Sequence, residues 1–235
     1  MHSEASHPVS VTIDDAVRER HPDVRVRGFA VSGLSAAASR LDIPSPADVA
    51  AAAATRFPPG AEVVEDPILR GWREAFRRSG LRPSRYRSSV EALVRRVVRG
   101  EDVLTATPVV RLYCALSVIH VSPLGAYDLD RLGSGPIELR FARPASDHFE
   151  PIGGDASDMP LRPDVAVYAV GDRVICYSYN YRDAKGTSVD EQTDGALFLG
   201  EAVAAAQHDA LDRALDDLGR RLLDAGASTV ADLAA

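Results

Sequence analysis

The 235-residue sequence predicts an α+β fold. Three observations carry the prediction. Ile137, Leu139 and Phe141 alternate with Glu138 and Arg140, the period-two pattern of a strand buried on one face. The apolar runs 165–170 and 174–179 flank Gly171-Asp172, a hairpin signal. Helical stripes lie on either side of these strands: Ile68, Leu69, Trp72 and Phe76 before them, and Leu211, Leu215, Leu218 and Leu222 after them.

Residues 1–10 are polar and are expected to form a disordered tail. Residues 11–235 are expected to form one domain, with a core over about 66–202 and C-terminal helices over 205–234. Ile13 to Arg20 reads as a short helix and Val24 to Val31 as a strand. Ser45, Pro46 and Asp48 mark a helix start, because a serine oxygen caps orphan amides and proline leaves none. Pro58, Pro59 and Gly60 end that helix. Asp66-Pro67 starts another, which buries Trp72 and stops at Gly80. Ser88 with Glu91 fits a capping box ahead of the stripe Val90, Leu93, Val94 and Val97. The run 109–121 is apolar on nearly all sides, so it is expected to be buried whether helix or strand. A turn at Pro123–Gly125 breaks it, and Tyr127, Asp128 and Asp130 follow in a polar loop. Tyr177, Tyr179 and Tyr181 share one face if their strand continues, either as core packing or as the lining of a pocket. Leu197 to Ala202 reads as the last strand, 205–225 as a helix stopped by Gly226, with a short final helix beyond.

The net charge of −7 argues against general nucleic-acid binding, and no DNA partner is expected. The charge is unevenly spread. Residues 66–99 carry ten arginines and three acids, whereas residues 183–235 carry eleven acids and four bases. An arginine-rich helical pair of this kind reads either as solvated helix faces or as a phosphate-binding surface. No apolar run approaches the ~20 residues that span a bilayer, and the first ten residues lack a basic n-region and an apolar h-region. A cytoplasmic location without a membrane partner is expected. Cys114 and Cys176 sit in apolar surroundings and read as reduced core thiols. No zinc spacing, P-loop or dinucleotide fingerprint is present, so no metal or cofactor is expected.

Five short patterns, in order, carry a resemblance: W-R-x-x-F at Trp72, R-S-S-V-E-A-L at Arg87, P-x-G-x-x-D-L-D at Pro123, I-x-L-R-x-A at Ile137, and N-Y-R-D at Asn180 with threonines to Thr193. Over about residues 66–200 the chain resembles the B3/B4 domain of the phenylalanyl-tRNA synthetase beta subunit, and more closely the freestanding relatives of that domain. The resemblance implies a layered sheet or sandwich core flanked by helices. It also implies hydrolysis of mischarged aminoacyl-tRNA in trans, with aminoacylated tRNA as partner. Two departures bear on activity. Gly125 stands where the synthetase loop has histidine, and Arg111 and Cys114 stand where relatives have an acid and an amide.

On that resemblance Arg182, Asn180 and Thr187 are the expected catalytic residues, the arginine because its fork suits a carboxylate or phosphate. Cys114, Ser117, Tyr127, Asp128, Tyr179, Asp183 and Thr193 are expected to bind the amino acid, and Arg85, Arg87, Arg95 and Arg96 the tRNA. The polar residues read equally well as turn formers. His120 and His148 read as core histidines before bases, and Cys114 as a small buried hydrophobe before a nucleophile. A non-catalytic binding module, and an enzyme acting on a free amino-acid derivative, remain open alternatives.

Overall fold

The structure, a computed structural model, describes residues 9–103 and 107–235. The first eight residues of the expected tail lie outside the described residues. Strand β1 (Val11–Ile13) leads into helix α1 (Asp15–Arg20), with Asp14 capping the first turn through Ala16 N. The helix expected from Ile13 therefore begins only at Asp15, and Ile13 belongs to a strand that buries it with Val11. Strand β2 (Arg25–Ser32) and the short helix α2 (Leu34–Ala37) follow. Helix α3 (Pro46–Arg56) starts on a Ser45–Asp48 capping box, and α4 (Pro67–Arg78) on Asp66, which accepts from Ile68 N and Leu69 N. Helix α5 (Ser89–Val98) is capped by Ser88 through Glu91 N. The Glu91 side chain serves a different purpose, described below.

The apolar run is helix α6 (Pro108–His120), ended by Val121 at φ 52. A β-branched residue in the left-handed region is uncommon at a helix end, where glycine usually stands. The expected polar loop after it is strand β3 (Leu124–Asp128), with Asp128 at its end capping α7 (Leu129–Leu132). Then come β4 (Ile137–Phe141), the hairpin β5 (Ala166–Val170) and β6 (Arg173–Tyr177), the two-residue β7 (Arg182–Asp183), β8 (Ala196–Ala202), helix α8 (His208–Asp224) and β9 (Ser228–Ala234). The last of these replaces the expected final helix. Residues 228–234, apart from Val230 at a register shift, find a ladder along β2, and this pairing outweighs local propensity.

Two sheets result. One has the order β1-β4-β5-β6-β7, with β1 parallel to β4, and the other β3-β8-β2-β9, antiparallel throughout. Strand β8 shows how they stack. Leu197 and Leu199 pack into the cluster that holds Tyr168, Val174 and Cys176 of the first sheet. Ala196, Phe198 and Ala202 face the leucines of α6 and α8 instead. Gly200, on that second face, lets α8 come close: a Cβ there would stand 2.7 Å from Leu211 Cδ1.

Strand β4 departs from the one-faced expectation, because Arg140 is buried. Its guanidinium forks onto both Asp147 oxygens at 2.8 Å and donates to Gly171 O, so the charge is paired where the first sheet is covered on that side too. Among the described residues no helix is long and apolar enough to cross a membrane.

Candidate functional site

Strands β7 and β3 are edges of different sheets, and a cavity of about 30 Å³ lies beside them. Alternation places Gly125 and Tyr127 of β3 and Leu199 and Glu201 of β8 on its wall, and β6 adds Cys176. Tyr179 and Asn180 reach it from a turn. After Tyr177 the chain enters the left-handed region at Ser178 (φ 50) and Tyr179 (φ 61), and Tyr181 N closes the turn on Tyr177 O at 3.2 Å. Two successive non-glycine residues there store backbone strain, which clusters at functional sites. The turn also breaks the expected row of three phenols. Tyr177 and Tyr181 remain neighbours, while Tyr179 swings in between His21 (ring centroids 5.6 Å) and Trp72 (5.9 Å).

A hydrogen-bond chain crosses the cavity. Ser89 N, at the start of α5, donates to Asn180 Oδ1 at 3.0 Å, and Asn180 Nδ2 donates to Glu201 Oε1 at 2.6 Å. Tyr168 Oη donates to Glu201 Oε2 at 3.2 Å, and Tyr127 Oη donates to Asp183 Oδ1 at 3.2 Å. Burial pushes the Glu201 carboxyl up to about 7, against these hydrogen bonds and with help from the Asp183 charge. Burial likewise holds Asp183 above the usual carboxylate range, offset by hydrogen bonds from Cys176 and Tyr127. The site therefore pairs two acids without a basic group in its lining. Ser89 Oγ and Tyr179 Oη are buried here with no hydrogen-bond partner among the described residues.

Four expected site residues come together: Asn180, Tyr127, Tyr179 and Asp183. The others do not join them. Arg182 precedes Asp183 on β7 and points the other way, lying over the Tyr181 ring and donating to Ile152 O at 3.3 Å. Thr187 is buried beside a separate cleft with His148 and Arg173. Asp128 caps α7 through Asp130 N and Arg131 N, and Thr193 Oγ1 donates to it at 2.6 Å, so this pair is turn chemistry. Ser117 donates to Tyr113 O, one turn back along α6, and accepts from Leu124 N. Burial pushes the Cys114 thiol up to about 12 and Cys176 well above its ordinary value, so both stay protonated and unreactive at neutral pH. His120 is paired with Asp217 at 3.0 Å. Glu201 was legible only as a charge on the buried register of Leu197 and Leu199, a signal the apolar strand masks; Ser89 stood out only inside the R-S-S-V-E-A-L pattern, and Tyr168 carried no signal.

The arginine face is braced. Glu91, fully buried, takes Arg73 at 2.8 Å and Arg95 at 3.0 Å, with Arg87 at 4.0 Å. Arg85 pairs with Asp158 and Arg96 with Glu101. Three guanidiniums around one carboxylate leave positive charge on this face, next to Ser89 at the cavity. Elsewhere, a large groove between α8 and β9 is lined by Phe29, Leu215, Leu223 and ion-paired Arg27. Its other polar groups, Asp216, Arg220, Asp224, Thr229 and Asp232, are all exposed, unlike the buried set of the cavity.

A model of the B3/4 domain matches residues 71–216, well over half the chain and every residue lining the cavity. The chain belongs to the B3/4 domain family. Among solved structures, this B3/4 chain is similar to an N-terminal fragment of the phenylalanyl-tRNA synthetase beta subunit from Pyrococcus horikoshii. The TM-score is 0.49 and the identity 9%, over 94% of the chain and 50% of the fragment, so the chain spans half that fragment's length. No curated protein matches it at a significant level.

Proposed function

We propose that this B3/4 chain is a cytosolic deacylase that hydrolyses mischarged aminoacyl-tRNA in trans. The observation that carries the reading is the acid pair Asp183 and Glu201 in one small cavity with no basic side chain lining it. An aminoacyl ester brings a cation, its α-ammonium group, and two carboxyls removed from water are the complement to it. Asp183 holds the ammonium. Glu201, with its carboxyl near 7, takes a proton from the attacking water. The new C–O bond forms at the ester carbonyl, the bond to the ribose oxygen breaks, and Glu201 returns the proton to the leaving hydroxyl. Ser89 Oγ is the unengaged donor for the carbonyl oxygen. The tRNA lies along Arg87, Arg95 and Arg96, with Arg85 at its margin.

Deacylation of a panel of correctly and incorrectly charged tRNAs tests this. The wild type is expected to release at least one mischarged amino acid, and Glu201→Gln to lose that release by about 100-fold or more. No release above the uncatalysed rate for any charged tRNA would end the deacylase reading. Arg95→Glu with Arg96→Glu is expected to weaken tRNA affinity and flatten its salt dependence. A second reading, an amino-acid-binding module without turnover, is favoured by one fact: both Glu201 oxygens already accept hydrogen bonds. Saturable binding without hydrolysis is its signature.

A further inference from the structure

Two residues that stood out in the sequence, His148 and Thr187, lie away from the acid cavity and share a cleft of about 460 Å³. Small-molecule sites run from about 300 to 1,000 Å³, so this one has the room of a ligand site. Backbone pairing builds its walls. His148 N donates to Asp172 O and Val174 N donates to His148 O, both at 2.9 Å, which lays the segment at His148 parallel to β6. Lys185 N donates to Glu150 O at 2.9 Å and ties the turn that carries Thr187 to the same segment. The parallel bridge sets His148 opposite Arg173, and bridge partners carry their side chains on one face.

The charge in this cleft is unbalanced. Both Asp147 oxygens are occupied by Arg140, and Glu150 stands at the surface with Lys185 at 3.7 Å. Arg173 has no carboxylate partner among the described residues. One of its N–H groups donates to Leu132 O, which fixes its direction, and the others find no acceptor there. Thr187, fully buried at the floor, adds a hydroxyl with no hydrogen-bond partner among the described residues. A guanidinium, an imidazole and a hydroxyl lining one space suit a phosphate, whose oxygens accept from all three and whose charge Arg173 complements. The cleft is larger than a phosphate fills. Phe149 lies flat against Tyr177, with ring centroids 5.8 Å apart, and gives the cleft an aromatic wall. Gly186 leaves it open, since a Cβ there would meet nothing within 4 Å. We infer that this cleft is a second ligand site, for a nucleotide: Arg173, His148 and Thr187 take the phosphate, and Phe149 packs against the base or sugar. The inference stands apart from the deacylase reading, because none of the residues lining this cleft lines the acid cavity.

The test titrates the full chain with AMP, adenosine and inorganic phosphate by calorimetry, and with uncharged tRNA over a range of salt concentrations. AMP is expected to bind saturably and adenosine at least about tenfold more weakly, the loss of one hydrogen bond to a charged group being enough. Arg173→Gln is expected to weaken AMP by about tenfold or more. Thr187→Val removes the hydroxyl alone. It is expected to weaken AMP while leaving the melting temperature unchanged or higher, because in the free chain that hydroxyl has no partner to lose. This second variant keeps the test sound should loss of the bond to Leu132 O disturb the first. If AMP fails to bind but both variants weaken tRNA binding, and Arg173→Gln lowers its salt slope by about one, the phosphate belongs to an RNA and the site stands. Adenosine binding as tightly as AMP, or AMP binding untouched by both variants, would overturn the inference. So would no AMP binding together with a tRNA affinity that neither variant changes. Turnover is read in neither arm, so a failure of the deacylase reading leaves this result intact.

Discussion

Replacing Glu201 by glutamine should stabilise the protein at alkaline pH while abolishing its proposed reaction. Glutamine keeps the geometry: its carbonyl can accept from Asn180 Nδ2, and its amide can donate to Tyr168 Oη, which then accepts. What changes is the charge. The folded carboxyl titrates at about 7 against an ordinary 4.5. Between those values the folded protein keeps a proton that the unfolded chain releases, so stability falls as pH rises through the window. Above pH 7 the whole displacement applies, about 3 kcal/mol at ~1.4 kcal/mol per unit. For a chain of this size that is roughly 6–12 °C in melting temperature. Denaturant and thermal melts of both proteins at pH 4.5 and pH 8.5 measure it. The variant should gain stability at the higher pH and show little gain at the lower. Equal stability at pH 8.5, or the same gain at both pH values, would refute a carboxyl whose charge the fold leaves uncompensated.

Three other outcomes follow from the same structure. Deacylation should rise with pH through about 7 and level above it, because Glu201 must lose its proton to act as a base; a flat profile would exclude it from that role. Asp147→Ala should cost about 3 kcal/mol in denaturant melts, since it leaves the buried Arg140 guanidinium with only the half-exposed Glu138, at 3.4 Å, as ion partner; a loss under about 1 kcal/mol would show that Arg140 escapes to solvent. In the native protein Cys114 and Cys176 should react with a thiol reagent only at the rate of unfolding, and fast labelling of either would contradict their burial.

The helices and the hairpin were readable because their signals are local. Ser45, Asp66 and Ser88 cap through bonds two or three residues away, and Gly171 turns at φ 64 between strands that pair with each other. Strands β1, β3 and β9 were not readable, since each is stabilised by a partner distant in sequence: β4 for the first, β8 for the second, β2 for the third. The site divides along the same line. Tyr127, Asn180 and Asp183 stood out as polar residues beside turns, and the structure gathers them. Arg182 stood out equally, but strand alternation sends it away from its neighbour. Glu91 looked like a capping partner of Ser88, yet a buried carboxylate among arginines is pulled toward charge, and Arg73 comes to it from α4, beyond the reach of a local pattern. Glu201 needed the pairing of β8 with β2, where it stands opposite Val26, before its burial could be seen.

The pairing of β2 bears on how the chain reaches this state during synthesis. Both its neighbours, β8 and β9, come after residue 195, so roughly 160 residues are made between β2 and its first partner. At ribosomal speeds of about 5–20 residues per second, β2 waits on the order of 10–30 s with Phe29 and Val31 uncovered. The second sheet closes only once β8 has left the ribosome, which exposes β2 as a segment a nascent-chain chaperone would meet.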